Sequence, residues 1–139
     1  MTFKIIGKYI QDLKFNIPNP KTFFLLSKNI SNYKINIDIK SSQVKQNIIE
    51  ILISLRLTPT KDDFDKIEAK IIFSTVVELD TKNNQKDEIE KIILIKVPTE
   101  IYSELRQIFI SLFESSGFKD VKINETVDFE KLYKMRKVQ

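Results

Sequence analysis

The segment PTEIYSELRQIFISLFESSG, residues 98–117, decides the fold class because its pattern predicts one long amphipathic helix. Thr99 is the predicted N-cap, Glu100 lies near the positive end of the helix dipole, and Gly117 ends the helix. The apolar side chains form one stripe about 140° wide: Ile101, Tyr102, Leu105, Ile108, Phe109, Leu112 and Phe113. Such a helix either covers only its own sheet or also packs against a second subunit. Ile110, alone among polar residues on the opposite side, is the candidate contact in the second case.

Four stretches of alternating apolar and polar residues precede this helix and predict four β-strands. Their apolar positions are Phe3, Ile5, Tyr9, Leu13, Phe15 and Ile17; Ile35, Ile37 and Ile39; Ile49, Ile51, Ile53, Leu55 and Leu57; and Ala69, Ile71, Phe73, Thr75, Val77 and Leu79. Short polar connections favour antiparallel pairing. We therefore predict an α+β fold in a single domain over residues 1–139, with the sheet in 1–80, the long helix at 98–117 and a short helix at 128–137.

Some segments break these patterns. Ile6 and Ile10 interrupt the polar face of the first strand, and Gly7 permits a β-bulge there. Ser41–Gln43 is predicted to interrupt the second strand. Residues 22–26 read as an apolar plug or groove wall too short for a helix, and residues 87–97 fit either a short helix or an added strand.

The composition excludes most catalytic classes. The chain has no cysteine and no histidine, so disulfides, thiolate nucleophiles, Cys/His zinc sites and imidazole-dependent triads are excluded. Its two glycines do not form a phosphate-binding loop. Asp62, Asp63 and Asp65 lack the glycine and bidentate glutamate of a calcium loop. We predict a protein that is not an enzyme, needs no metal or cofactor, and works by contact.

The charge of the chain does not predict nucleic-acid binding, although a small basic nucleic-acid-binding module is the alternative from another class. The net charge is +4, but lysines and acids are interspersed and the only arginines are Arg56, Arg106 and Arg136. No export signal or long apolar run is present in the sequence, so we expect a cytoplasmic protein without direct membrane insertion.

Two motifs stand at the ends of the chain: YIQDLKFNIPN at residues 9–19 and VDFEKLY at residues 127–133. The first resembles the first strand, and the second is similar to the closing element, of the SecB family of bacterial preprotein-export chaperones. Between them, the Ile35-x-Ile37-x-Ile39 pattern and Pro98, eight residues before Arg106, occur in the family's order. The resemblance implies a four-stranded antiparallel sheet backed by a long helix, in a dimer of dimers. It also implies a holdase that binds unfolded preproteins without nucleotide and passes them to the motor SecA. A role for one client, such as an antitoxin, is the alternative within the family.

The resemblance assigns roles to particular side chains. The candidates for the lining of a client groove are Phe23, Phe24, Ile35, Ile37, Phe73, Ile101 and Tyr102, and the alternative for each is a place in the ordinary core. The expected oligomer contacts on the long helix are Leu105, Ile108, Phe109, Ile110 and Leu112. Asp12 and Asn16 stand where the family contacts SecA through acidic residues, so this acidic surface is reduced here.

Overall fold

The computed structural model describes residues 3–29, 33–59, 67–80, 85–118, 121 and 123–138. The strands are β1 (Phe3–Asn16), β2 (Tyr33–Lys45), β3 (Ile48–Pro59) and β4 (Glu68–Leu79). The helices are α1 (Pro20–Asn29), α2 (Lys86–Lys91), α3 (Val97–Ser115) and α4 (Phe129–Val138), with a π-helical segment, Ile92–Lys96, between α2 and α3. All strand pairs are antiparallel in the order β1-β4-β3-β2. The predicted α+β fold, a four-stranded antiparallel sheet with a long helix, is confirmed.

The core lies between the sheet and α3. Ile51, Ile53 and Leu55 of β3 are buried against the core, as are Leu105, Phe109 and Phe113 of α3 and alternate residues of β4. The ring of Phe113 meets that of Phe15 of β1 edge-on, with centroids 5.1 Å apart. Directly opposed residues of an antiparallel pair share a face, so the pairing register assigns every strand residue to this inner face or to the outer face.

The strand β1 carries two bulges that change which residues face α3. The register shifts between Ile5 and Gly7 and again between Ile10 and Asp12. Between these points the alternation inverts, as expected when an extra residue enters one strand. Tyr9, predicted on the inner face, therefore pairs with Ser74 on the outer face.

The same inversion places Lys8 on the inner side of β1, opposite Thr75. Its Nζ donates to Glu104 Oε2 of α3 at 3.0 Å, so this lysine connects the strand to the helix instead of projecting from the polar face. Strict alternation from Ile5 predicts Lys8 on the polar face, and this prediction is wrong because the bulge between Ile5 and Gly7 shifts the alternation by one residue.

The segment between β1 and β2 forms a helix, so the prediction that residues 22–26 are too short for one was wrong. Asn19 caps α1: its Oδ1 accepts from Thr22 N at 2.8 Å and from Thr22 Oγ1 at 3.0 Å. Pro20 follows as the first helical residue, where its missing N–H costs nothing. The Asn-Pro pair thus supplies a start signal for ten residues of helix.

Two further boundaries differ from the expectation. The strand β2 continues through Ser41–Gln43 to Lys45, and Asn47, with φ of 64°, turns the chain into β3. Residues 86–91 are helical, so the helix precedes Pro98 and Thr99 is not its N-cap. Pro98 has no N–H to donate to the preceding turn, and the five residues before Val97 take the wider π-helical form.

Candidate functional site

An apolar groove lies between the inner face of β2 and α4, and we call it the α4 groove. Its cavity has a volume of about 180 Å³. Its apolar lining consists of Ile37, Ile39, Leu94, Phe129, Leu132 and Tyr133, and the charged Asp38 and Arg136 also border it. Leu132 is 47 % exposed, so the groove is open to solvent in the single chain.

The helix α4 is held over this groove by specific contacts. Asp128 is its N-cap, because Asp128 Oδ1 accepts from Lys131 N at 3.0 Å. Tyr133 Oη donates to Glu90 Oε2 of α2 at 3.2 Å, and the Phe129 ring lies 6.0 Å from that of Tyr102. These contacts hold Phe129 and Tyr133 of α4 against the rest of the chain, while the side chain of Leu132 remains exposed to solvent.

The strand that borders the groove is the edge strand β2, which pairs only with β3 in the described sheet. An edge strand offers unpaired backbone N–H and C=O groups to an added strand. The α4 groove therefore combines an apolar lining with a hydrogen-bonding backbone edge, which is the combination used to bind extended polypeptide.

An aromatic cluster on α1 forms a second open apolar surface. Phe23 packs on Phe118, with ring centroids 4.8 Å apart, and Phe24 is 61 % exposed. Gly117, with φ of 94°, ends α3 beside the Phe23 ring, and Phe118 N donates to Phe113 O at 2.9 Å. The helix stop predicted at Gly117 is confirmed, and it supports this cluster.

Only some of the residues predicted for the client groove lie on an open surface. Ile37 lines the α4 groove, and Ile35 lies half-buried on the same face of β2. Phe73, Ile101 and Tyr102 do not line an open surface, because they are only 4 %, 2 % and 4 % exposed.

Tyr102 illustrates why these positions are closed. Its hydroxyl donates to Asn124 O at 2.7 Å, and burial raises the pKa of this hydroxyl above its usual value. The nearby Arg106 Nε donates to Ile123 O at 3.1 Å, so both side chains hold the segment before α4 against α3. The first turn of the apolar stripe on the long helix, Ile101 and Tyr102, therefore packs inside the chain.

The predicted oligomer contacts on α3 also include both buried and partly exposed residues. Leu105 and Phe109 are fully buried inside the chain, and Ile110, expected on the exposed side, is only 8 % exposed. Ile108 and Leu112 are half-buried and keep surface available for a partner. Only these two of the five positions are open in the single chain.

Asp12 and Asn16 lie on the outer face of the sheet, on either side of Lys14. Asp12 pairs with Ile72 and Asn16 with Glu68. The acidic surface expected for SecA thus has an apolar residue opposite Asp12 and a lysine beside it.

Sequence reasoning missed Leu94 and Leu132 in the groove. Leu94 belongs to residues 87–97, whose apolar residues are too dense to show a face. Leu132 stands with Phe129 and Tyr133 in one apolar stripe of the last helix, which predicts an inward side chain for all three. The spacing of the apolar residues in α4 does carry a signal for Leu132. Phe129 and Tyr133 are one turn apart and share the buried face of the helix, so Leu132 lies at the edge of that face.

The described residues contain no group of three or more His, Cys, Asp or Glu side chains able to hold a metal ion. Nor does any helix in the described ranges have the length and apolar character needed to cross a lipid bilayer.

The geometry first defines a class of protein. It is an α+β protein in which α3 covers one face of the sheet and the apolar α4 groove lies open beside the edge strand β2. Over residues 1–139 the chain matches the family described as "Preprotein translocase subunit SecB". The chain therefore belongs to the SecB family, which consists of protein-export chaperones and not of enzymes.

Individual relatives agree with this assignment. The putative protein-export protein SecB of Pelagibacter ubique is 40 % identical over 134 residues, covering 96 % of each chain. The protein-export protein SecB of Rhodospirillum rubrum is 28 % identical over 137 residues, covering 95 % of this chain and 80 % of its own.

A solved structure shares the fold at low sequence identity. The SecB-like chaperone of Mycobacterium tuberculosis, in complex with a peptide from an antitoxin, superposes with a TM-score of 0.66 at 11 % identity. The match covers 90 % of this chain and 88 % of that one.

Proposed function

We propose that this SecB-family chain is an ATP-independent holdase of the cytoplasm that binds unfolded preproteins and passes them to SecA. The observation that carries the proposal is the α4 groove beside the free edge of β2. An extended client adds a strand to β2 through backbone hydrogen bonds, and its alternate side chains enter the groove.

The groove suits clients of unrelated sequence because both interactions are insensitive to sequence. Backbone hydrogen bonds do not depend on the side chain, and apolar burial is non-directional, contributing about 25 cal/mol per Å². A cavity of about 180 Å³ gives weak binding on its own. Repetition around a homotetramer raises the effective concentration of sites along one client chain.

The test is suppression of aggregation by single-residue variants. Purified protein is added in excess to a denatured, aggregation-prone client diluted into buffer without ATP, and turbidity is followed. Leu132→Asp introduces a charge at the groove, so we expect it to lose suppression several-fold because an ion is costly to place against apolar client side chains.

Val44→Asp is the matched control, since Val44 is also on β2 and is 57 % exposed. It lies seven residues from Ile37, about 23 Å along the strand at about 3.3 Å per residue. We expect this variant to suppress turbidity like the wild type. Equal losses in both variants, or no suppression by the wild type, would refute the groove assignment.

A role for one dedicated client, such as an antitoxin, is the second candidate. It is favoured by the fold shared with a chaperone that was solved with an antitoxin peptide. The same turbidity assay separates the two when several unrelated clients are compared, because a general holdase protects all of them and a dedicated one protects a single partner.

For the handover we propose Asp12 and Asn16 as the SecA contacts. Asp12 is the only carboxylate of this pair, and it shares the outer face with Lys14. Asp12→Lys should weaken SecA binding several-fold in a titration by calorimetry while turbidity suppression stays intact. Unchanged affinity for SecA would exclude Asp12 as a contact.

A further inference from the structure

The outer face of the sheet carries three cations in one cross-strand row. Lys14 of β1 pairs with Lys70 of β4, and Lys70 pairs with Arg56 of β3. We call these three residues the basic row. Neighbouring strands are about 4.8 Å apart, so the row spans about 10 Å.

The three cations of the row lie directly opposite one another, and no acidic residue stands between them in the described strands. Like charges directly opposite each other on neighbouring strands are destabilising. Asp12, Asp38 and Glu68 lie in the adjacent rows of the same face. Nevertheless, within the described part of the chain none of the three cations forms an ion pair or a side-chain hydrogen bond.

The surface around the basic row is concave. Arg56 and Lys70 line two neighbouring depressions of about 550 and 530 Å³. The first also contains the apolar side chains of Leu52 and Ile72, and Lys14 borders the second. Arg56 and Lys70 thus line both depressions, and each depression also contains one carboxylate, Asp38 in the first and Glu68 in the second.

We propose that the basic row is a docking site for a short acidic segment of a partner polypeptide, with an apolar residue of that segment between Leu52 and Ile72. Arg56 can bind a carboxylate through two parallel N–H donors, and the two lysines each add a point charge. This site lies beyond the proposed client groove, because it occupies the opposite face of the sheet from Ile37.

The same surface is less suited to nucleic acid. Single-stranded nucleic acid binds through aromatic stacking platforms as well as cations. Of the paired strand residues on the outer face, Tyr9 is the only aromatic one, and its hydroxyl donates to Glu50.

The test measures binding of a fluorescein-labelled peptide, Gly-Ser-Glu-Glu-Leu-Glu-Glu-Gly-Ser, by anisotropy in about 50 mM salt, where surface charges are weakly screened. The Lys14→Gln/Arg56→Gln/Lys70→Gln variant should bind about ten-fold more weakly, because it removes every charge-assisted contact. The Lys21→Gln/Lys91→Gln/Lys131→Gln variant loses the same charge at exposed helix positions and should bind within about two-fold of the wild type.

Each other outcome would overturn the proposal. Equal weakening by both triple variants would mean that net charge alone attracts the peptide. Unchanged binding by the row variant, or no measurable binding by the wild type, would exclude the site. Tighter binding of an oligothymidylate of equal charge that depends on the row would assign it to nucleic acid. Turbidity suppression by the row variant is measured in parallel, so failure here is distinguishable from failure of the holdase proposal.

Discussion

Glu50 shows how single side chains organise the outer face of the sheet. Its carboxylate accepts hydrogen bonds from the Tyr9 hydroxyl and from Ser74 Oγ, the latter at 2.7 Å. Both donors favour the charged form, so they lower the pKa of Glu50 below its ordinary value of 4.5, with Tyr9 as the larger cause. This contact exists because the bulges of β1 turn Tyr9 outward.

Removing the Tyr9 hydroxyl, the larger cause of the shift, should raise the pKa of Glu50. In Tyr9→Phe we expect the pKa of the Glu50 carboxyl to rise toward 4.5, and in Ser74→Ala we expect a smaller rise. A carbon-13 NMR titration of the side-chain carboxyl measures both values. Identical titration curves in the wild type and Tyr9→Phe would refute the assigned cause.

The lowered pKa of Glu50 also predicts how the free energy of unfolding changes with pH. A carboxyl whose pKa is lower in the folded state contributes stability that is present above the unfolded pKa and is lost as the pH falls through the folded value. The difference in unfolding free energy between the wild type and Tyr9→Phe should therefore be largest near neutral pH and shrink below pH 4.5, as followed by urea denaturation.

At the scale of elements, the sequence predicts regular strands well and interrupted ones poorly. The third and fourth strands alternate without error, and the structure places them at β3 and β4 within one or two residues. In β1 the bulges invert the alternation between Ile5 and Asp12. Ile6, Gly7 and Ile10 mark the irregularity in the sequence, but they do not say which side chains face α3.

The helices are also predicted only in part from the sequence, but for a different reason. Helix α1 depends on a local signal, Asn19 followed by Pro20, which is readable from sequence but outweighed by the short apolar run after it. The helical start at Lys86 and the burial of Ile110 depend on tertiary packing, which no periodicity reports. The candidate site was therefore predicted in part: Ile37 from strand alternation, but not Leu94 or Leu132, whose positions follow from how α4 packs on the π-helical segment.

For the whole molecule, the open edge of β1 raises the question of assembly. β1 is fourteen residues long, lies at the edge of the sheet opposite β2, and exposes Ile6, Ile10 and Leu13. A long apolar edge strand promotes pairing with another chain. We propose that two chains meet along β1, and that Ile108 and Leu112 of α3 take part in joining such dimers into the homotetramer.

This proposal predicts a change of mass in one variant and none in its control. Light scattering of the wild type should give about four times the chain mass of 16.4 kDa. Ile6→Lys/Ile10→Lys places two cations on the edge and should reduce the mass to that of a smaller species, because charged edges oppose strand pairing. Leu132→Lys, with the same 47 % exposure as Ile6 but on α4, should leave the mass unchanged. A wild-type monomer, or a tetramer that survives the double substitution, would place the assembly contacts elsewhere or exclude them.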